Sequence, residues 1–265
     1  MEKFAGLVSV IIELTSRCNK NCWMCGGRKL EREKSELAVE RGDMEFSLLK
    51  KIARQLPKGI VVEFHRDGEP MVYPRFGEAI ELFRNQVTTM ITNGKLLVEK
   101  ADEIIGKMDI VSVSIFEKDS EATEQLEIIK KFLEMRGIQK PLMTFRIIGD
   151  VNLAPYEELG CLVARRGLRS PLGRSGYRNP PPIPDMGICR DFLCSICVNR
   201  EGKVSICAKF DPTGLCFIGD ANMEKLADIW NGPKRLGWKK LHIEGKRKEV
   251  SPCSQCEYWG VPTSS

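Results

Sequence analysis

Over its first 150 residues the chain alternates short β-branched runs with helical periodicity, and that alternation limits the available folds more than any other feature. Val8 to Leu14, Ile60 to Phe64, Val87 to Ile91, Ile110 to Ile115 and Leu142 to Ile148 are rich in Val, Ile, Thr or Phe and read as strands. Phe46 to Gln55, Arg75 to Asn85, Leu97 to Lys107 and Ser120 to Arg136 lie between them, several with apolar residues three and four apart, and read as helices. Parallel neighbours need a crossover long enough for a helix, so this repetition predicts an α/β fold built on a parallel sheet. Loops leaving the carboxyl ends of such strands meet at one rim, where sites are usually assembled. Here the rim receives Cys18 to Cys25, Gly68-Glu69-Pro70, Thr92-Asn93-Gly94 and Glu117.

After Asp150 the pattern changes. Arg165, Arg166, Arg169, Arg174 and Arg178 stand among Gly, Ser and Pro180-Pro181-Pro182, which reads as a basic loop. Ser195 to Val198 and Lys203 to Cys207 then flank Asn199-Arg200-Glu201-Gly202 as a hairpin, and a helix is expected from about Met223 to Trp230, with Asn222 as its cap. The expected division is a core over 1–150, a linker over 151–183 and a small α+β unit over 184–265.

The chain has eleven cysteines in 265 residues, an odd count and a density well below that of a disulfide scaffold. They cluster: Cys18, Cys22 and Cys25 form one knot, and seven more fall between Cys189 and Cys256. No secretory signal and no run of about 18 apolar residues is evident. The expectation is a soluble, cytoplasmic protein whose thiols are free to bind metal. A net charge of +5 permits an anionic substrate without calling for nucleic acid.

Cys18-Asn19-Lys20-Asn21-Cys22-Trp23-Met24-Cys25 has C-x3-C-x2-C spacing directly after a strand. Three thiolates on one loop can hold three irons of a four-iron cluster and leave the fourth open to an amine beside a carboxylate. Zinc is the alternative reading, although zinc motifs favour paired C-x2-C units. In the cysteine spacing, the aromatic residue before Cys25 and the placement after a strand, the sequence resembles the radical S-adenosylmethionine (SAM) superfamily. The resemblance implies a partial (β/α)6 barrel, a SAM-binding [4Fe-4S] cluster, SAM itself and a flavodoxin- or ferredoxin-type electron donor. It further implies that Gly68, Glu69 and Pro70 contact the SAM amino group through backbone and carboxylate. Asn93 would wall the cofactor pocket, Ser114 would meet the ribose, and Arg146 would meet the carboxylate as a bidentate fork.

Cys189 and Cys207, separated by seventeen residues, and Cys253-Ser254-Gln255-Cys256 supply four further thiols, enough for a complete cluster. Their order resembles the auxiliary-cluster segment called twitch, the shorter relative of SPASM, and implies a small C-terminal α+β Fe–S domain with an auxiliary [4Fe-4S] cluster. A zinc ribbon is the rival reading, and Cys194 or Cys197, themselves in C-x2-C spacing, are alternatives to Cys189. Cys161 reads as a core thiol, and Cys216 has no assigned duty.

The whole arrangement is similar to the small twitch-bearing dehydrogenases of amino-cyclitols. That resemblance implies a small-molecule substrate oxidised at an unactivated C–H, and makes Arg174, in Gly173-Arg174-Ser175-Gly176, the candidate substrate contact. Peptide crosslinking or epimerisation is the alternative, with a spare thiol as hydrogen donor; only seventeen residues precede Cys18, fewer than the peptide-binding domain many such enzymes carry. A noncatalytic metal-binding or electron-transfer protein is the reading from another class. His65 and His242 are expected in ordinary loop or surface roles, and the charged stretch Lys29 to Glu45 as a solvated cover over the first knot.

Overall fold

A computed structural model describes residues 3–33, 40–166, 189–208, 211, 213–254 and 256. Nine strands form one sheet: β1 Ser9–Ile12, β2 Val61–Phe64, β3 Val87–Thr92, β4 Ile110–Phe116, β5 Leu142–Ile148, β6 Leu162–Arg166, β7 Ser195–Val198, β8 Lys203–Ser205 and β9 Phe217–Asp220. Their order is β6-β5-β4-β3-β2-β1-β7-β8-β9. Every pairing from β6 across to β7 is parallel, and only β7–β8 and β8–β9 are antiparallel. The C-terminal strands therefore extend the core sheet through β1, with Ser9 to Ile12 opposite Ser195 to Val198.

The crossovers are α1 Gly26–Glu33, α2 Phe46–Ala53, α3 Phe76–Glu81, α4 Ala101–Ile104, α5 Ala122–Arg136 and α6 Ala154–Glu157, followed by α7 Arg190–Cys194, α8 Leu226–Trp230 and α9 Pro233–Ile243. Alternation along the strands separates two faces. Val10, Ile12, Val62, Phe64, Met90, Val113 and Phe145 pack with Leu49, Ile52, Phe76 and Phe132 from the helices in one core. The opposite face carries Ser9, Glu63, Ser112, Ser114, Thr144 and Arg146, all but Ser9 only partly covered. Small polar pairs knit it across the strands, Ser9 to Ser195 at 2.8 Å and Ser112 to Thr144 at 2.7 Å.

Several expectations are corrected. Residues 151–166 are not linker: they form α6 and β6, the sixth parallel strand. The helix expected over Leu97 to Lys107 shortens to Ala101–Ile104, because Ile105 turns extended and Gly106 takes φ +76°. The helix expected from Met223 starts only at Leu226, and Asn222 does not cap it. Its amide donates instead to Glu201 O at 2.7 Å and Asp220 Oδ1 at 2.8 Å, tying β9 to the 199–202 turn. No described helix is long and apolar enough to cross a membrane.

His242, expected in a loop or on the surface, is 1% exposed on α9 and stacks on Phe192 at 4.5 Å between ring centroids. Neither ring nitrogen has a hydrogen-bond partner. Burial, aided by Arg247, pulls its pKa down to about 4 from 6.5, so it is neutral at pH 7. The unfolded chain binds the extra proton between those values, so stability should fall as pH drops from about 6.5 towards 4. At roughly 1.4 kcal/mol per pKa unit the loss is at most a few kcal/mol. Denaturant titrations at pH 7 and pH 4.5 should show His242→Leu losing less stability on acidification than the wild type, and equal losses would refute the assignment.

Candidate functional site

The loop after β1 carries Cys18, Cys22 and Cys25, and each end of it is fastened. Lys20, 7% exposed, places Nζ 2.6 Å from Asp119 Oδ2, beyond β4, and over the Phe116 ring at 4.8 Å. Trp23 Nε1 donates to Glu117 O at 3.0 Å, Arg28 donates to Cys18 O at 3.2 Å, and Arg17 grips Asp43 with two bonds of 3.0 and 2.6 Å. The first two joints pin the loop to the β4 exit. A buried ion pair adds little net stability, but breaking it strands a charge.

Gly68 meets the same loop from β2. A Cβ there would lie 2.1 Å from Thr15 O and 2.7 Å from Arg17 O, and Glu69 N donates to Arg17 O at 2.9 Å. Only glycine allows this backbone-on-backbone approach. The Glu69 carboxylate, which the resemblance assigns to an amine, is spent inside the protein. It accepts from Thr92 Oγ1 at 2.8 Å, Asn93 N at 2.7 Å and Met71 N at 3.3 Å. Burial pushes its pKa up to about 7 against the pull of those three donors. Its side chain sets the β3 exit, and Pro70 opens the buried 3-10 turn Pro70–Val72 that follows.

Asn93 turns its amide onto the cysteine loop, to Asn19 Oδ1 at 2.8 Å and Cys18 Sγ at 3.8 Å. Gln125 of α5 bridges the next two strands, donating to Asn93 O at 2.6 Å and Ser114 O at 3.0 Å. Ser114 stands opposite Arg146 in the β4–β5 register, on the face away from the helices. Arg146 in turn helps hold the Glu63 carboxyl below its ordinary range, where burial is outweighed by His65, Ser9 and Arg146. His65 Nε2 lies 3.6 Å from Glu63 Oε2.

The three thiols fit an iron cluster in their donor chemistry. Burial raises the Cys18 thiol and pushes Cys22 up to about 12, and the neighbouring cysteines add to both shifts. Cys18 and Cys22 are neutral thiols that a metal would deprotonate, so loading should release protons.

The second group forms around a small cluster of Phe192, Ile206 and Cys216, against which Cys189, Cys207 and Cys253 pack. Burial pushes Cys189 and Cys253 up to about 12 each, and Cys256, Cys189 and Cys207 lie near enough to Cys253 to add to its shift. Cys189 is the N-cap of α7. Arg235, 2% exposed, braces that helix by donating to Leu193 O at 3.2 Å and to Trp230 O at 3.0 Å. Cys194 is engaged otherwise, donating to Arg190 O at 3.0 Å. Cys197 is buried on β7 beside Arg66, while Cys216 shares a hydrogen bond with Cys207. Cys161, half-buried, donates to Leu159 O at 3.6 Å. Arg174 lies outside the described residues. Among those that are described, no three His, Cys, Asp or Glu side chains gather closely enough for a single ion.

Sequence reasoning missed the joints between remote segments, since nothing local links Lys20 to Asp119. It also missed a cavity of about 160 Å³ between α1, the β2 exit and the 199–202 turn, with Glu13, Arg66, Asp67 and Asp211 on its wall. The hint available was the charged pair Arg66-Asp67 set between a strand and Gly68.

A family model described as the Radical SAM superfamily matches residues 12–146, and one described as an iron-sulfur cluster-binding domain, SPASM, matches residues 189–257. The S-adenosyl-L-methionine-dependent 2-deoxy-scyllo-inosamine dehydrogenase of Niallia circulans is 24% identical over 276 residues, covering 99% of this chain and 97% of that protein. The crystal structure of BtrN in complex with AdoMet and 2-DOIA has a TM-score of 0.60 at 18% identity, covering 98% of this chain and 96% of that one. Streptococcus suis SuiB bound to precursor peptide SuiA reaches 0.68 at 15% identity, over 94% of this chain and 69% of that one. At such identities the structural likeness establishes a shared fold.

Gly68→Ala tests the contact between the two loops. The Cβ would push against carbonyl oxygens that have no room to retreat, so the variant should retain less than half the wild-type iron after reconstitution and melt several degrees lower. Wild-type iron content and melting temperature would contradict the close approach.

Proposed function

Because the chain belongs to the Radical SAM superfamily and carries a SPASM iron–sulfur domain, we propose that it is a dehydrogenase of a polar small molecule, working in a partial (β/α)6 barrel with a twitch-like C-terminal unit. The observation that carries this reading is the pairing of β1 with β7. Cys18 to Cys25 follow β1, and Cys189 and Cys207 flank the β7–β8 pair, in strands of the same sheet. Cys18, Cys22 and Cys25 hold the SAM-binding cluster, and Cys189, Cys207, Cys253 and Cys256 hold the auxiliary one. When bound, these groups supply an organic radical that removes one hydrogen atom from carbon and an acceptor for the second electron, so that a carbinol becomes a carbonyl with loss of a proton.

The chain's own residues do the positioning. Gly68 lets the β2 exit lie against the cysteine loop, and Glu69 fixes the Thr92–Asn93 turn so that Asn93 holds Asn19. The Gly68 carbonyl, with the second lone pairs of the Glu69 and Pro70 carbonyls that already accept from Val72 N and Tyr73 N, is then what that segment offers the SAM amine. Ser114 and Arg146 present a hydroxyl and a guanidinium side by side for ribose and carboxylate. The 24% identical dehydrogenase supports oxidation of a ring carbinol. Arg174 is kept as a substrate contact on the resemblance alone. A flavodoxin- or ferredoxin-type donor would supply the priming electron. The likeness to peptide-bound SuiB supports a second reading, peptide modification. Solvent deuterium separates dehydrogenation from peptide epimerisation, since an epimerase installs it at carbon and a dehydrogenase does not.

Anaerobic reconstitution should load about eight irons per chain, as two cysteine-held four-iron clusters require, and dithionite should then release 5′-deoxyadenosine from SAM. Changing Cys18, Cys22 and Cys25 to Ala should halve the iron and abolish that release. Changing Cys253 and Cys256 to Ala should halve the iron and leave the release intact. Tightly bound zinc with no SAM cleavage would overturn the proposal.

A further inference from the structure

Cys216 belongs to neither proposed ligand set, yet the fold carries it to one of them. β8 and β9 are antiparallel with Ser205 opposite Phe217, and the ladder runs one step further, where Ile206 N donates to Cys216 O at 3.1 Å. Cys207 is the next residue along, so the ladder brings its thiol beside that of Cys216, and the two share a hydrogen bond. The chain before β9 is held from the other side as well, with Cys216 N donating to Asp211 Oδ2 at 2.8 Å and Gly214 N to Asp211 O at 3.3 Å. The surroundings are dry: Cys216 is 2% exposed and packs with Phe192 and Ile206 against Cys189, Cys207 and Cys253.

A buried thiol so placed can be a metal ligand, an apolar filler or a hydrogen-bond donor. Cys189, Cys207, Cys253 and Cys256 already make the four ligands that a complete cluster takes, and Cys253 lies within reach of the other three. A filler needs no polar partner, whereas the Cys216 thiol has two acceptors beside it, the Cys207 sulfur and the Asp211 carboxylate. One hydrogen serves one of them. Asp211 is supplied already by Cys216 N and by Thr213 Oγ1 at 3.4 Å. Cys207, once metal has taken its proton, is an anionic sulfur in an apolar site, where a donor counts for most.

We propose that Cys216 donates its thiol hydrogen to Cys207 Sγ in the loaded protein and so raises the reduction potential of the auxiliary cluster. It is a positioning residue that acts through a ligand, and the proposal rests on the assignment of Cys207 to that cluster made above. A donor at a ligand sulfur draws electron density from it, which stabilises the more negative, reduced cluster over the oxidised one. That direction suits an acceptor. After hydrogen abstraction the carbinol radical loses its hydroxyl proton to solvent and one electron to the auxiliary cluster, leaving a carbonyl and a cluster reduced by one electron. Cys189 takes its sulfur donors from the backbone N–H groups of Phe192 and Asp191, which no substitution there removes, whereas the donor on Cys207 is a side chain.

The test is a redox titration followed by EPR on the anaerobically reconstituted full chain, with iron counted first. SAM alters the signal of the cluster it binds, and the signal it leaves unchanged is that of the auxiliary cluster. Cys216→Ala should keep about eight irons per chain, as two four-iron clusters require. It should lower the electron affinity of the auxiliary cluster about fivefold, or about 40 mV at about 59 mV per tenfold. Cys216→Ser keeps a donor and should recover at least half of that shift, whereas a merely structural role would leave the two variants alike. Cys216→Val fills the space without a donor and replaces the alanine variant if that one fails to fold. An unshifted potential in a folded, fully loaded variant would give the hydrogen to Asp211 and overturn the proposal. Loss of four irons from both the alanine and the serine variants would make Cys216 a ligand and overturn it equally, and either result leaves the two-cluster reading standing. A wild type that holds only four irons would overturn that reading and this proposal with it.

Discussion

β1 is only four residues long, and the rest of the molecule is arranged around it. It pairs in parallel with β2 on one side and β7 on the other. Parallel pairing fixes where each strand ends, so the exits of β1, β2 and β7 emerge side by side on one rim. The cysteine loop, the Arg66–Glu69 segment and the 199–202 turn are neighbours for that reason. Glu13 N donating to Val198 O at 3.0 Å continues the ladder one step past the strand, into the site itself. A one-residue slip between β1 and β7 would turn Ile196 and Val198 away from the helix-covered core, so core packing enforces the register that the site needs.

Buried charge is handled in two ways around this rim. Lys20 with Asp119, and Glu69 with its three donors, are saturated by the protein, and what they gain is the geometry of a loop. Arg66 and Glu13 are as withdrawn from water, with Asp67 31% exposed beside them, and the guanidinium stops short of hydrogen-bond contact with either carboxylate. Glu13 accepts from Arg200 N at 3.0 Å, whereas the Arg66 Nε and Nη1 donors find no acceptor. An unfilled deficit of that kind is tolerated at a binding site, where a ligand completes it, and is costly anywhere else.

The parallel sheet and its rim were legible because a period of two among β-branched residues survives even in short strands, and the rim loops carry chemistry visible in one dimension. β6 was not legible. It is an edge strand paired only with β5, its Leu162 is 65% exposed, and Arg165 sits where a core strand would be apolar. His242 was misjudged for a related reason: Lys239, Lys240 and Glu244 make its neighbourhood look solvated, and its burial is imposed by Phe192, fifty residues earlier. Asn222 had the residue type of a helix cap but found better acceptors in Glu201 and Asp220. Glu69 shows the limit within a motif: the tripeptide gives its place on the rim, while the direction of its carboxylate depends on Thr92 and Asn93 from another strand.

The cysteines that the sequence left without duties divide once their surroundings are known. Cys194 satisfies a carbonyl of its own helix, and Cys161 one in its own turn. Cys216 is different, since it shares a hydrogen bond with Cys207 while its backbone N donates to Asp211 Oδ2 at 2.8 Å. Asp211 is also on the wall of the Arg66 cavity. The cavity thus stands two hydrogen bonds from a thiol of the second group and, through Gly27, two residues from a thiol of the first.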